Sequence, residues 1–223
     1  MARFTRIEVA LKMAETGMVP VFYHSDLEIC KNLIKASYRG GVRVFEFTNR
    51  GDYAHEVFAE LNKYATKECP ELILGIGSVV DGGTASLFIQ LGANFVVSAL
   101  LNEDMARVCN RRKILWSPGC GSLSEISRAE ELGAEIVKIF PAMQVGGPQF
   151  VANIKGPCPW TSIMATGGVE PTEANLCAWF KAGVTCVGMG SQLFPKNLIE
   201  EGNWDTITQN VQEALQIIKK LKH

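Results

Sequence analysis

Two charged residues stand where the chain should be apolar. Lys138 lies in "EIVKIF" (135–140), between Val137 and Ile139, and Glu46 lies in "VRVFEF" (42–47), between Phe45 and Phe47. Both runs have the β-branched and aromatic content of a parallel strand buried on its two faces. An ammonium or a carboxylate in such a strand costs free energy unless it is paired, neutralised or led out to water. A lysine near a strand end can snorkel to solvent, and two opposite charges can form a buried ion pair of little net stability. Chemistry is the third explanation. Opposite charges facing one interior supply an amine nucleophile and a proton-transfer group. Period-two alternation puts Thr48 on the face of Glu46 and Arg50 one step further out, so the mouth gains a guanidinium fork for an anion.

Two glycine-rich stretches add a second kind of site. "ATGGVEP" (165–171) and "GMGSQLF" (188–194) each follow a short apolar run. The amides of Gly167, Gly168, Gly190 and Ser191 can approach an anion closely, because glycine puts no side chain in the way. One such stretch is an ordinary tight turn. Two of them after the last two strands of a barrel match the place where barrels commonly hold phosphate. A metal centre is not expected, since His24, His55 and His223 show no ligand spacing. His55 reads as a surface residue of a helix, and His24 either contacts substrate or caps a loop. Met143, Met164 and Met189, near strand ends, read as core or pocket filler. The seven cysteines (30, 69, 109, 120, 158, 177 and 186) form no Cys-x-x-Cys pair. They read as free thiols in a reducing compartment, not as a disulfide framework or a zinc site.

The elements that must position these residues alternate regularly. Eight strand-like runs begin with "MVPVFY" (18–23), "VRVFEF" and "LILGIGS" (72–78), and continue with "NFVVS" (94–98, then Ala99) and "ILWS" (114–117). "EIVKIF", "SIMAT" (162–166) and "TCVGMG" (185–190) complete the set. Amphipathic stretches separate them, as in "DLEICKNLIKASYRGG", where Leu27, Cys30, Leu33, Ile34 and Ser37 follow helical spacing. Four of these stretches end in glycine before the next run, in "RGGV", "QLGAN", "ELGAE" and "KAGVT", as a left-handed helix stop requires. Alternating β and α of this length predicts a parallel sheet, and eight units close into a (β/α)8 TIM barrel. The rival, an open doubly wound sheet, lacks its dinucleotide fingerprint after the first strand.

No linker divides the chain. The expectation is one α/β domain over 1–223, with an added N-terminal helix at about 4–16 and a C-terminal helix at about 203–222. With 22 basic and 23 acidic residues and only the short "RRK" at 111–113, which reads as a solvated helix end, no nucleic-acid partner is expected. No segment approaches 18 apolar residues, and the N-terminus lacks a signal-peptide core, so a soluble cytoplasmic protein without a membrane partner is expected.

The motifs "VPVFY", "GGVRVFEFTNR", "GIGSV", "SPGCGS", "VKIFPA", "TGGV" and "GMGSQLF" occur in one particular order. In that order they resemble the 2-keto-3-deoxy-6-phosphogluconate / 2-keto-4-hydroxyglutarate aldolases over roughly residues 5–215. The resemblance implies a class I pyruvate aldolase that is metal-independent, needs no cofactor and is usually trimeric. It implies that Lys138 forms the Schiff base and that Glu46 is the general acid/base. Arg50 and Ser78 match positions that hold the pyruvate carboxylate. Thr166, Gly167, Gly168, Gly190 and Ser191 match the phosphate site. Five positions depart from the family's usual residues: Ser78 stands for Thr, Ala99 for Pro and Asn49 for an apolar residue, and Gly121 and Met143 also differ. They are expected around the substrate, where they bear on the aldehyde half. A phosphate-binding isomerase or epimerase, or a non-catalytic phosphosugar-binding module, would explain the glycine loops but not the pairing of Lys138 with Glu46.

Overall fold

The computed structural model describes residues 2–222, so His223 lies outside the described residues. A first helix, α1 (Arg6–Thr16), precedes the alternating units. These are β1 (Met18–Phe22), α2 (Leu27–Arg39), β2 (Val44–Thr48), α3 (Ala54–Glu68), β3 (Ile73–Val79) and α4 (Gly82–Gln90). Next come β4 (Phe95–Ser98), α5 (Glu103–Arg112), β5 (Leu115–Ser117), β6 (Gly119–Cys120), α6 (Leu123–Glu131) and β7 (Val137–Ile139). The chain ends with α7 (Gly147–Lys155), β8 (Ile163–Thr166), α8 (Glu173–Ala182), β9 (Cys186–Met189), α9 (Lys196–Glu200) and α10 (Trp204–Lys222).

Among the described residues nine strands stand where eight runs were expected. The extra one arises just past the fifth run, where Pro118, having no N–H to give to a ladder, separates Leu115–Ser117 from Gly119–Cys120. Leu115–Ser117 pair with β4 on one side, and Gly119–Cys120 pair with β7 on the other. All pairings are parallel and follow the order β5-β4-β3-β2-β1-β9-β8-β7-β6. The broken fifth strand therefore joins both edges of the sheet and closes the barrel. The carbonyl of Pro118 still accepts from the Lys138 N–H, at 2.9 Å, which ties the strand of Lys138 to the closing seam.

Two apolar layers follow from the strand period. Phe45, Phe47, Ile76, Val96, Val137 and Ile139 point out into the layer shared with the helices. Val19, Val44, Ile73, Phe95, Leu115, Ile136, Met164 and Cys186 point into the barrel. Val9 and Met13 of α1 join this inner cluster, so α1 plugs the N-terminal end. The helix starts at Arg6, later than expected, because Thr5 is its N-cap and forms a capping box with Glu8. With the bottom filled by apolar side chains, polar inward positions are left to the C-terminal mouth. Three of the four helix-ending glycines take positive φ directly: Gly92, Gly133 and Gly183; in "RGGV" Gly40 stays right-handed and Gly41 makes the turn.

Candidate active site

On β2 the inward series is Val44, Glu46, Thr48, and on the opposite wall it is Ile136, Lys138, Phe140. Glu46 is 1% exposed and Lys138 5% exposed, so both charged groups are inside the barrel. Glu46 sits beside Val21 of β1 and Gly75 of β3, and Lys138 beside Gly119 of β6 and Met164 of β8. The space for the carboxylate comes from a missing side chain. A Cβ placed on Gly77 would lie 1.7 Å from Glu46 Oε1. Glu46 Oε2 is buried without a hydrogen-bond partner. The Lys138 ammonium lies over the ring of Phe140, 4.8 Å from its centroid, where the π-face favours a cation.

Burial dominates the electrostatics of both groups. Desolvation lowers the pKa of Lys138; the Glu46 carboxylate opposes this, and the Arg50 charge adds to it. Desolvation raises the pKa of Glu46, opposed by Lys138 and then Arg50. Each group is close enough to bias the ionisation of the other, yet among the described residues the two make no direct salt bridge. An amine and a carboxyl both pushed toward neutrality, with an open oxygen lone pair between strands, can accept a carbonyl compound and move its protons.

Arg50 and Ser78 meet at the mouth. The Arg50 Nε–H donates to Ser78 Oγ at 3.2 Å. Ser78 is held at φ 57°, where the pairing of β3 with β4 shifts register, so its hydroxyl is turned out of the ladder toward the guanidinium. Above this level a cavity of about 530 Å³ opens, lined by His24, Thr48, Arg50, Phe140 and the two glycine loops. Thr166, Gly167, Gly168, Gly190 and Ser191 all contribute to its wall. Gly167 and Gly168 have φ 99° and 83°, a backbone only glycine adopts readily, which exposes their amide edge. Thr166 Oγ1 is buried there without a partner. Glu46 and Lys138 lie one strand alternation below Thr48 and Phe140, which belong to the cavity wall, and are themselves buried beneath it.

Of the departing positions, Asn49, Ser78 and Met143 adjoin residues of the cavity wall. Asn49, Ser78, Ala99, Gly121 and Met143 are absent from the cavity wall among the described residues. Asn49 gives its N–H to the Gly77 carbonyl, and Gly121 gives its N–H to Glu125. The backbone of Ala99 closes on Gly119, and Met143 packs on Gly168. They brace the strands and loops that carry the wall; only Ser78 reaches a site side chain. Met164 is core, as expected, and Met143 is exposed. Gly77 and Phe140 were not singled out from the sequence. Alternation from Lys138 points to Phe140, but the role of Gly77 needs the approach of two strands to be seen.

All seven cysteines are free. Among the described residues no group of three or more His, Cys, Asp or Glu is assembled that could hold a metal ion. No described helix is long and apolar enough to cross a membrane.

The family model described as KDPG and KHG aldolase matches residues 8–210. The 2-dehydro-3-deoxy-phosphogluconate aldolase of Pseudoalteromonas atlantica is 34% identical over 199 residues, 89% of either chain. The KHG/KDPG aldolase of Escherichia coli K12 is 32% identical over 89% of this chain and 91% of its own. Among solved structures, the KDPG aldolase of Legionella pneumophila superposes with a TM-score of 0.83 at 27% identity, covering 92% of this chain and 97% of that one. That crystal contains pyruvate captured as a covalent carbinolamine intermediate.

Proposed function

Because the chain belongs to the KDPG and KHG aldolase family, we propose that it is a class I aldolase cleaving 2-keto-3-deoxy-6-phosphogluconate reversibly to pyruvate and glyceraldehyde 3-phosphate. The observation that carries this reading is the buried, mutually biased pair of Lys138 and Glu46, one strand alternation below the cavity residues Thr48 and Phe140. Lys138 is the nucleophile. Desolvation lowers its pKa and so favours the free amine, which attacks the C2 ketone to give a carbinolamine. Glu46 shuttles the protons as water leaves and the iminium forms. The iminium then draws electrons from the C3–C4 bond while Glu46 accepts the C4 hydroxyl proton. Bond cleavage releases the aldehyde and leaves the pyruvate enamine, which is protonated at C3 and hydrolysed from Lys138.

Arg50, held by Ser78, pairs with the pyruvate carboxylate at the iminium end. The amides of Gly167, Gly168, Gly190 and Ser191 and the free hydroxyl of Thr166 receive the terminal phosphate. The phosphate loops favour this substrate over 2-keto-4-hydroxyglutarate, which ends in a carboxylate, although the Escherichia coli relative bears both substrates in its name. The C4 epimer, 2-keto-3-deoxy-6-phosphogalactonate, presents the same termini and is the alternative substrate. We take the enzyme to be a metal-independent homotrimer of the cytoplasm, with no group beyond the covalent Schiff base.

Incubation with pyruvate and borohydride tests the reading. Peptide mass analysis should find reduced pyruvate on Lys138, with or without prior chelator treatment. Lys138→Ala should lose trapping and cleavage together. Label on another lysine, or trapping that disappears with chelator and returns with a divalent ion, would overturn the mechanism.

A further inference from the structure

His24 belongs to the cavity wall, and the mechanism above leaves it unused. It follows the C-terminal end of β1, and its ring is fixed by its surroundings. The ring stacks on Phe22, at 6.4 Å between centroids and 7° between planes. Its Nδ1 accepts the backbone N–H of Asp26 at 2.9 Å. Asp26 is itself held as the N-cap of α2, and the His24 carbonyl accepts from the Cys30 thiol at 3.3 Å. A neutral imidazole whose Nδ1 accepts carries its proton on Nε2. Backbone geometry thus sets the tautomer and leaves one N–H donor on a rigid ring in the cavity wall.

The strand order says which part of a substrate that donor meets. Around the barrel β1 lies between β2, which carries Glu46 and Thr48, and β9, which leads into Gly190 and Ser191. A substrate with its C4 hydroxyl at Glu46 and its terminal phosphate at Ser191 must pass its intervening carbons over β1. We propose that His24 is a specificity-determining residue whose Nε2–H donates a hydrogen bond to the C5 hydroxyl of the substrate, the C2 hydroxyl of the aldehyde product. The site then selects phosphorylated 2-hydroxyaldehydes over chains that lack this hydroxyl. This rests on the aldolase reading.

Condensation of pyruvate with glyceraldehyde 3-phosphate is compared with condensation with 3-phosphooxypropanal, its 2-deoxy analogue. Wild type should favour the hydroxylated aldehyde in kcat/KM by about tenfold, the scale of one neutral hydrogen bond. His24→Phe keeps the stacking ring but has no donor. Its kcat/KM should fall only for glyceraldehyde 3-phosphate, bringing the ratio near one. His24→Gln, which retains an N–H, should recover part of the ratio. Deuterium exchange into the pyruvate methyl group, measured alongside, needs no aldehyde and reports Lys138 and Glu46 alone. Absence of exchange in the wild type would defeat the aldolase reading itself. With exchange present, an unchanged ratio in His24→Phe, or equal loss on both aldehydes, would overturn the assignment of His24.

Discussion

Gly77→Ala is the substitution that most sharply tests how the carboxylate is positioned. It adds one methyl group on β3 and removes no reacting group. The added Cβ would lie 1.7 Å from Glu46 Oε1. Ordinary contact between such atoms needs about 3.5 Å, so the carboxylate must retreat by roughly 1.5–2 Å. The backbone of Gly77 is not in the left-handed region, so alanine is strained only by this overlap. Overpacking of this kind costs about 1–3 kcal/mol of stability, which a closed barrel of this size withstands. Catalysis is less tolerant, because a misplacement of about 1 Å can cost on the order of 10² in rate. Gly77→Ala should therefore fold, still trap pyruvate on Lys138, and lose roughly 10² or more in kcat, equivalent to about 2.7 kcal/mol of barrier. Aldol cleavage coupled to reduction of the pyruvate released gives the rate, and circular dichroism the fold. Gly156→Ala, at the end of α7 with 3.6 Å of clearance, serves as the neutral control. A folded Gly77→Ala protein with wild-type kcat would refute the claim that Glu46 acts from the position the missing side chain gives it.

Glu46→Gln keeps shape but cannot accept a proton; turnover should fall by roughly 10² or more, with pyruvate binding retained and methyl exchange slowed alike. Wild-type exchange in that variant would leave the carboxylate a purely structural partner. The lowered pKa of Lys138 predicts the pH profile of trapping. The nucleophile is the free amine, so a lowered pKa moves its appearance to lower pH, and trapping should plateau well below the ordinary lysine value of about 10.4. A rate still climbing through pH 10 would show an ordinary lysine. The homotrimer is checked by light scattering at micromolar concentration, where a monomer mass would contradict it; closed cyclic assembly would cover part of the exposed apolar surface at Val80, Leu87, Leu100 and Leu123.

Features written in local periodicity were legible in the residues alone. Alternation of strand and helix runs implied the parallel barrel, and helix-ending glycines marked the turns because a left-handed backbone requires a particular residue. Lys138 and Glu46 stood out for the same reason: a charge inside a two-sided apolar run is anomalous whatever surrounds it. Family resemblance supplied their expected roles. Other features depend on the approach of segments distant along the chain, which no local pattern records. Pro118 reads as an ordinary turn residue until closure makes it the break in a strand shared by both sheet edges. Gly77 matters only because β2 and β3 bring its empty position against Glu46. The departing residues Asn49, Ala99, Gly121 and Met143 stood out only against the family's usual residues, and which backbone each one braces is seen only once the strands and loops are packed. The tautomer of His24 and its place in the cavity wall were open in the sequence; the Asp26 N–H and the position of β1 between β2 and β9 give them. Tertiary structure settles such points because a side chain's partners, and the room it has, are fixed by which strands lie side by side.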